Sequence, residues 1–476
     1  MTAAASQLNP ALHDIEVGSV VIDSREVRAG DVFFALSQPD YANNGFNGDF
    51  EDATKYVVAS FEKGAAACVV RRDRFEEHRA DLEPFADKLI FVEDTIKALQ
   101  ELAHGVYLGW NKPVIAITGS AGKTTAKELT AHVLASSGKK VLRNIKNYNN
   151  GLGHPLTVLN LANDNSYDLA VLEMGMSTPM NEIMRLCRIT PPDVSVVLNV
   201  LPVHVEHLGS IENVAAAKAE IVEGMKEGGT AVLNADDSFA AGMRKLSRGR
   251  TITFAIDAAA DIRAENITFP RFGSTVFDLV TPAGTSPVRF PLNGRHNILN
   301  ALAAAGVAHS FGMTPDAIAS ALESAVPPPQ RGEILHFAEG FTVINDSYNS
   351  NPAALLSMVR TLVEGGASAQ RKIVVAGEML ELGENELELH RHAGREVAVS
   401  GADKLIGVRG LAAEMVSAAS ESGLSDAVFA ADSEAAGELL ANEVRRGDLV
   451  LVKGSRGVRT EKVIEKLQEK FELEKE

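Results

Sequence analysis

The chain has 476 residues, 45% hydrophobic and 23% charged, and its formal net charge at pH 7 is −17. This length suits about three domains of ordinary globular composition. The acidic balance argues against nucleic acid and anionic membranes as partners. No apolar stretch reaches the ~18 residues of a membrane span. The N-terminus lacks the basic and apolar regions of a secretory signal, so we expect a cytoplasmic protein.

The first segment, residues 1–112, reads as a small α/β domain. "GSVVIDSREVRAGDVFFAL" predicts a strand, a turn and a strand, "AAACVVRR" and "KLIFVE" predict two more strands, and helical patterns cover 84–88 and 94–109. The two cysteines, Cys68 and Cys187, lie far apart in sequence and have no zinc or disulfide spacing. We therefore expect two buried free thiols.

The central segment, residues 113–328, has the pattern of a parallel sheet covered on both faces. "PVIAITG", "YDLAVLEMG", "DVSVVLNV" and "GTAVLNADD" are continuous apolar strands. Amphipathic or alanine-rich helices are predicted at 123–137, 211–226 and 297–311. The run "AVPPPQRGE" at 325–333 is the clearest linker in the chain.

The last segment, residues 329–476, repeats the α/β rhythm. "KIVVAGEM", "ADKLIGVRG" and "GDLVLVKGS" read as strands followed by glycine, with helices between them. We expect a second, smaller doubly wound sheet of Rossmann-like type and a charged closing helix. The predicted fold class is thus α/β, with three domains.

The string "TGSAGKTT" is the strongest chemical signal. It follows a predicted strand and opens a predicted helix, as a phosphate-binding loop does. Backbone N–H groups would cradle the phosphates, Lys123 would reach the outer ones, and the Thr124 hydroxyl would hold Mg²⁺. The predicted phosphate-binding set is Gly119, Ser120, Ala121, Gly122, Lys123, Thr124 and Thr125. A guanine-reading N-K-x-D is absent, because "NKPV" at 111–114 lacks the aspartate, so ATP is favoured over GTP.

Three further residues of the central segment are metal or catalytic candidates of unequal strength. Glu173 ends a predicted parallel strand, where a carboxylate beside a phosphate loop suits Mg²⁺. His204 lies in "VLPVHVEHLGS", which matches neither metallopeptidase pattern. Lys218 lies among alanines on a predicted helix and, taken alone, is an ordinary helix lysine.

Polar residues also cluster in the last two segments. "PLNGRHNIL" places Asn297 where it would cap a helix or face a ligand. "NDSYNSNP" sets Asp346, Tyr348 and Asn351 between a strand and a helix, with more polar groups than a cap needs. Lys453 and Arg456 in "KGSRG" would meet an anion.

In their order and spacing, these strings resemble the Mur ligases over nearly the whole chain. The strings are "TGSAGKTT", "NYNNGLG", "LEMGMS", "PVHVEHLGS", "AAAKAEI", "NGRHN", "NDSYNSNP", "GEMLELG" and "VKGSRG". The last strings look most like the branch of that family that adds D-alanyl-D-alanine. The resemblance implies a three-domain monomer with UDP-N-acetylmuramoyl-tripeptide, D-alanyl-D-alanine and ATP as substrates, acting through an acyl phosphate.

The resemblance also implies roles for individual residues. Thr124 and Glu173 would bind one Mg²⁺, while His204 and a carbamylated Lys218 would help to hold a second. Residues around ATP would include Asn297, Arg331, Asp346 and Asn351. Residues at the other substrates would be Ser24, Arg25, Asn149, Asn150, Ser177 and Tyr348.

Departures from the family pattern leave alternatives open. The chain has Asn345-Asp346 where paired aspartates are usual, Glu378 where aspartate is usual, "MSTPMNEI" in place of a Pro-Gly loop, and "SQPDYANNGFNGDF" in place of a "DGHDF" segment. One alternative is a MurE-like or folylpolyglutamate-like sibling that adds one amino acid, although the D-N-P-R string of the former is absent. A non-catalytic nucleotide-binding relative is the other.

Overall fold

The computed structural model describes residue 12, residues 16–46, 48, 50–145, 147–176, 181–202 and 208–474. In this described part the strands form three sheets of four, nine and six strands, each from one consecutive stretch of the chain. None of the helices found there is long and apolar enough to cross a membrane. The architecture is α/β, as the sequence predicts.

The first sheet is small and wholly parallel. Its strands, in spatial order, are β1 (Val20–Val21), β2 (Val32–Phe34), β3 (Ala67–Arg71) and β4 (Leu89–Val92). The helices around it are α1 (Gln38–Asn43), α2 (Val57–Glu62), α3 (Arg72–Glu77), α4 (Arg79–Leu82) and α5 (Thr95–Trp110). The expected helix at 84–88 is a 3₁₀ turn, Glu83–Lys88, which contains Pro84 near its start.

The central sheet is parallel over most of its width. Its strands are β5 (Val114–Thr118), β6 (Val141–Arg143), β7 (Leu169–Glu173), β8 (Val194–Val197), β9 (Thr230–Asn234), β10 (Arg250–Ala255), β11 (Ile262–Arg271), β12 (Ser274–Thr281) and β13 (Gly284–Phe290). Its helices are α6 (Lys123–Ala135), α7 (Gly153–Asn163), α8 (Glu182–Ile189), α9 (Ile211–Glu223), α10 (Ser238–Gly242), α11 (Arg295–Ser310) and α12 (Pro315–Glu323).

Strand β5 occupies the topological switch point of this sheet. The spatial order β8-β5-β7-β6 shows that the chain first builds one side of β5 and then crosses to the other. Ligands of open α/β sheets bind at the carboxyl end of the strands beside such a point. The phosphate loop follows β5 directly, so the fold puts it where a ligand is expected.

The far edge of the central sheet is an antiparallel arm that the sequence analysis did not predict. Strands β11, β12 and β13 pair antiparallel, and β12 and β13 alternate buried and solvent-facing residues. This period of two was the available signal. The arm extends the sheet beyond the predicted apolar strands.

The third sheet is also parallel except at one edge. Its strands are β14 (Glu333–His336), β15 (Thr342–Asp346), β16 (Arg371–Gly377), β17 (Lys404–Val408), β18 (Ala427–Ala430) and β19 (Asp448–Lys453), in the spatial order β14-β15-β19-β16-β17-β18 with β14 antiparallel. Its helices are α13 (Pro352–Gly365), α14 (Glu386–Val399), α15 (Ala412–Glu421), α16 (Ser433–Glu443) and α17 (Glu461–Lys470).

One of two expectations about side-chain burial is confirmed, and the other is not. Cys68 and Cys187 are buried free thiols, and burial raises the pKa of each to about 12, so the prediction is confirmed. Helix α6, predicted as amphipathic over 123–137, ends at Ala135 and is buried around much of its circumference. The alanine-rich α11 packs against it.

Candidate active site

The phosphate loop joins β5 to α6 and is held in shape by the side chains of two asparagines from neighbouring elements. Gly122 has φ +82, and a Cβ there would lie 2.5 Å from Asn300 Oδ1, so this position requires glycine. Asn199, just after β8, accepts from the Ala121 N–H at 2.9 Å and donates back to the Ala121 carbonyl at 3.1 Å. Asn199, which follows the neighbouring parallel strand β8, therefore helps to fix the shape of the loop.

Lys123 and Thr124 open α6 and face the acid at the end of β7. The Lys123 Nζ donates to the Gly119 carbonyl at 2.8 Å. Burial lowers the pKa of Lys123, against the raising effect of Glu173, and Arg331 lowers it further. The Thr124 hydroxyl donates to Glu173 Oε2 at 2.9 Å. Because Ile117 pairs in register with Glu173, the acid sits one strand from the loop.

Asn144 clamps the peptide unit of Glu173. It follows β6, where the ladder to β7 ends, and its side chain accepts from the Glu173 N–H at 3.0 Å and donates to the Glu173 carbonyl at 2.9 Å. The same amide donates to the Tyr148 carbonyl, and Asn149 Nδ2 then reaches Glu173 Oε1 at 2.7 Å. The buried Lys127 of α6 holds the Asn144 carbonyl at 2.6 Å. The acid is thus fixed from three sides.

Replacing Asn144 by alanine is expected to weaken both the fold and turnover. The change leaves two buried backbone groups of Glu173 without partners, each of which costs about 1–3 kcal/mol. Urea unfolding should show the loss, and turnover should fall with it because the carboxylate is no longer fixed. The control is Asn163→Ala, at an exposed position at the end of α7. Equal stability of the two variants would contradict the clamp.

The opposite wall of the cleft comes from the third sheet. Asp346 ends β15 and Lys453 ends β19, and the two are paired neighbours in register. The Lys453 Nζ lies 2.5 Å from Asp346 Oδ2 and donates to the Asn349 carbonyl at 2.8 Å, with only 4% of its side chain exposed. Asn351 caps α13 by accepting from the Ala354 N–H, and Pro352 begins that helix as predicted.

Replacing Asp346 by asparagine is expected to destabilise the protein by about 3–5 kcal/mol, because it leaves the Lys453 ammonium buried without a counter-charge. Urea unfolding measures the loss. The matched control is Glu414→Gln, since Glu414 pairs with Arg391 at 3.0 Å on the surface, where a pair contributes about 0–1 kcal/mol. Similar losses in the two variants would show that burial does not set the strength of the Asp346–Lys453 pair.

The linker between α12 and β14 crosses the cleft. Arg331 Nη2 lies 3.4 Å from Thr124 Oγ1, and its guanidinium carbon lies 4.0 Å from the centre of the Tyr348 ring. The Tyr348 N–H donates to the Gln330 carbonyl at 3.3 Å. Arg331 thereby contacts both the phosphate loop and the "NDSYNSNP" loop.

The start of α11 supplies the remaining side of the cleft. Gly294 precedes the helix, so Asn297 does not cap it; its amide donates instead to the Asn293 carbonyl at 2.9 Å. The expectation of a cap is wrong, because the helix begins two residues earlier than predicted. His296 Nδ1 lies 3.2 Å from the Ser357 hydroxyl on α13. Burial lowers the pKa of His296 to about 4, despite the nearby Asp346 carboxylate.

Most of the predicted site residues share one cleft of about 350 Å³. It is lined by Ser120, Ala121, Gly122, Lys123, Thr124, Thr125, Asn149, Glu173, Asn297, Arg331, Asp346, Tyr348 and Asn351, among others. Thr124 and Glu173 come from the central sheet, while Asp346 and Asn351 come from the third. A ligand in this cleft would contact both.

Lys218 lies on α9 and is buried, with 2% of its surface exposed. Burial lowers its pKa to about 7, and the positive charge of Lys123 adds to the shift. The helix lysine of the sequence analysis is thus a partly neutral amine at physiological pH.

Other predicted residues lie away from the cleft lining. Arg25 is exposed and pairs with Asp23 at 2.6 Å, and the Ser24 carbonyl accepts from Lys63 at 2.7 Å. The Asn150 side chain accepts from the Gly153 N–H at 2.9 Å, at the start of α7. His204 and Ser177 fall outside the described residues.

Sequence profiles match two parts of the chain. The Mur ligase middle domain matches residues 117–308, and the Mur ligase glutamate ligase domain matches residues 330–456. A UDP-N-acetylmuramoyl-tripeptide--D-alanyl-D-alanine ligase of Escherichia coli (strain K12) is 35% identical over 458 residues, covering 96% of this chain and 95% of the relative. The chain belongs to the Mur ligase family.

Solved structures of MurF proteins are similar to this Mur ligase over nearly its whole length. A MurF of Acinetobacter baumannii superposes with a TM-score of 0.82 at 28% identity, covering 96% of this chain and 94% of that one. MurF of Thermotoga maritima, solved in complex with ADP, gives 0.81 at 28% identity, with 96% and 98% covered. The three-domain α/β architecture predicted from the resemblance is confirmed.

Two departures of this Mur ligase from the family pattern have physical explanations. Asn345, where a second aspartate is usual, is buried and donates to Glu333 Oε2 at 2.8 Å. An aspartate there would bring two carboxylates together. Glu378 is long enough to accept from the Leu411 N–H at 2.9 Å, beyond the end of β17.

Four residues that support this site from behind are not among those predicted from the sequence. Asn144, Asn199 and Lys127 hold the loop and the acid through buried contacts, and Asn300 packs on Gly122. Asn199 lies within a predicted strand and Asn300 on a predicted helix, whereas Asn144 follows β6, a strand that was not predicted. Their partners come from other strands, which no local pattern reveals.

Proposed function

We propose that this chain joins D-alanyl-D-alanine to the terminal carboxylate of UDP-N-acetylmuramoyl-tripeptide, with hydrolysis of ATP to ADP and phosphate. The product is a precursor of peptidoglycan. The relatives above are named for this reaction or as MurF. The single amino acid alternative is not favoured.

The observation that carries the proposal is the two-sided cleft. A phosphate loop with Lys123, Thr124 and Glu173 faces Asp346, Tyr348 and Asn351 across one volume. A nucleotide-binding switch or scaffold has no need to hold an acid and an amine beside the triphosphate. A ligase must hold the triphosphate, an acid and an amine together, and that requires both walls.

We propose a role for each segment. Residues 1–112 bind the UDP-muramoyl-peptide with Ser24 and Arg25, residues 113–328 bind ATP, and residues 329–476 complete the ATP site and bind the dipeptide. Asn149, Asn150 and Ser177 would meet the muramoyl-peptide. Because ATP must touch two segments, closure would complete the site. We place the reaction in the cytoplasm, where ATP is available, and the monomeric state stays a prediction.

The chemistry follows from the poor reactivity of a carboxylate toward amines. A carboxylate oxygen attacks the γ-phosphorus, the bond to the β-phosphate oxygen breaks, and ADP leaves. The dipeptide amine then attacks the acyl carbon, loses a proton, and expels phosphate with the electron pair of the carbon–oxygen bond. Lys123 and the loop N–H groups stabilise the charge that develops on the transferred phosphoryl group.

Thr124 and Glu173 are the residues we propose for Mg²⁺. Their oxygens lie 2.9 Å apart at the cleft, and hard oxygen donors are what this ion prefers. Across the described ranges no cluster of three or more His, Cys, Asp or Glu converges; phosphate oxygens and water would complete the shell, as is usual for Mg²⁺. The ion would neutralise phosphate charge. A second ion would be held by His204 and carbamylated Lys218.

An ADP-release assay over a panel of acceptors tests the proposed function. UDP-muramoyl-tripeptide with D-alanyl-D-alanine should give ADP, phosphate and the pentapeptide, detected by mass spectrometry. Single amino acids should give no ligated product. Exclusive use of a single amino acid would mean a sibling activity, and nucleotide binding without turnover would favour the non-catalytic alternative.

A further inference from the structure

Arg456 is a cation at the edge of the cleft whose contacts are neutral. It follows β19 and its side chain is exposed. Its Nη1 lies 3.4 Å from Gln330 Oε1, and its guanidinium carbon lies 5.5 Å from the centre of the Tyr348 ring. No carboxylate in the described part of the chain pairs with it. By contrast, Lys453 three residues earlier already has Asp346 as its counter-charge.

The Tyr348 ring contacts both Arg456 and Arg331, the arginine that approaches the phosphate loop. The same ring carries Arg331 at 4.0 Å, and Arg331 in turn reaches Thr124. Arg456 is not among the residues that line the cleft, whereas Tyr348 and Arg331 are. Two arginines thus contact one aromatic ring, and of the two only Arg331 lines the cleft.

An exposed apolar side chain lies against the chain neighbours of Arg456. Leu380 is 37% exposed, and a Cβ built on Gly457 would lie 2.9 Å from Leu380 Cδ1. The Leu380 N–H donates to the Ser455 hydroxyl at 3.0 Å, which ties the "GEMLELG" loop to the "KGSRG" loop. The surface around this loop therefore carries a guanidinium and one exposed apolar side chain. That pair suits a ligand with a free carboxylate and a small apolar side chain.

We propose that Arg456 binds the free carboxylate of the incoming dipeptide, with Leu380 against its terminal methyl group. This inference rests on the proposed function. An extended dipeptide spans about 7 Å and a single amino acid about half of that. With its amine at the acyl phosphate, the longer acceptor would carry its carboxylate further toward Arg456 than a single amino acid could. The guanidinium would then contribute to selecting dipeptides, through charge-assisted and directional hydrogen bonds.

The test compares D-alanyl-D-alanine with its C-terminal amide in the full-length enzyme and in Arg456→Gln. The variant should raise KM for the dipeptide about 10- to 100-fold, the range expected for loss of a charged hydrogen bond. KM for ATP should stay unchanged. With the amide, wild type should be as poor as the variant, and the variant should distinguish little between the two acceptors. Arg456→Lys should recover part of the loss.

The control is Arg459→Gln, an exposed arginine of the same loop, which should behave as wild type with both acceptors. A rise in KM for ATP or for the UDP-muramoyl-peptide would assign Arg456 to that substrate and overturn the proposal. So would equal losses caused by the variant with dipeptide and amide. If wild type ligates no dipeptide at all, the proposed function itself fails, which is a separate result.

Discussion

Replacing Lys123 by alanine is expected to reduce turnover at least ~1000-fold, at the upper end of what one preorganised charge or donor supplies. Lys123 is the ammonium at the phosphate loop, and its Nζ is held by the Gly119 carbonyl at 2.8 Å. In the proposed reaction the transferred phosphoryl group would gather negative charge at this position. Steady-state ADP release measures the loss, with limited change in KM for the dipeptide.

The fold should survive this change. Burial disfavours the charged form of Lys123, as the lowered pKa shows, so removing the ammonium takes away a cost of folding as well as a contact. Lys123→Met keeps the apolar stem and should unfold at or above the wild-type urea concentration. Lys139→Ala, at an exposed position after α6, should keep full activity. Unchanged turnover in Lys123→Ala would contradict the catalytic role proposed for Lys123.

The regular parts of this fold were predictable because their signals are local. Apolar strands such as Val114–Thr118 and Leu169–Glu173 are covered on both faces and read as continuous apolar runs. The short strands at the sheet edges have weaker sequence signals. Strand β6 has three residues and β18 has four, too short for periodicity to separate them from loops.

The closeness of the candidate site residues at strand ends was predictable for a topological reason. The carboxyl ends of parallel strands share one edge of a sheet, so a phosphate loop after β5 and an acid ending β7 must be near each other. The Thr124–Glu173 contact at 2.9 Å bears out that reasoning. Lys218 shows the limit of this topological reasoning. Nothing in the sequence of its helix indicates that the amine is buried near Lys123. Only the family resemblance singled it out.

The contacts that hold the site required the pairing of distant segments. The Asp346–Lys453 pair joins residues 107 positions apart, and it exists because β15 and β19 are neighbours in register. No spacing within either string shows that register. The family strings were specific in combination, whereas the physical reason for each residue became visible only with the sheet order.

Replacing Lys218 by methionine is expected to lower turnover about 100-fold or more while stabilising the unliganded protein; removal of a single preorganised charge has effects of this size. The amine is buried, and its pKa of about 7 leaves a neutral fraction that can add carbon dioxide. The resulting carbamate would be the anion proposed for the second metal ion. Activity of wild type should therefore depend on bicarbonate and increase as pH rises through about 7.

The stability effect has a defined sign. The unfolded lysine titrates near its ordinary pKa of about 10.4, above the folded value, so unfolding takes up a proton between these two pH values. Stability of carbon-dioxide-free wild type should then rise with pH across that window, and the advantage of Lys218→Met should shrink across it. Urea unfolding at several pH values measures both. A constant difference between the two proteins would contradict a shifted Lys218.

Carbon-13 bicarbonate provides a readout that does not depend on turnover. Wild type equilibrated with it should show a carbamate resonance that is absent from Lys218→Met. Lys404 is the control, since its side chain is also only 4% exposed but its ammonium lies between Asp426 at 2.9 Å and Glu443 at 2.5 Å. Two carboxylates keep that lysine protonated, so Lys404→Met should retain the resonance. A resonance that persists in Lys218→Met would place the carbamate on another amine. Lys218 would then not be the carbamylated residue proposed for the second metal ion.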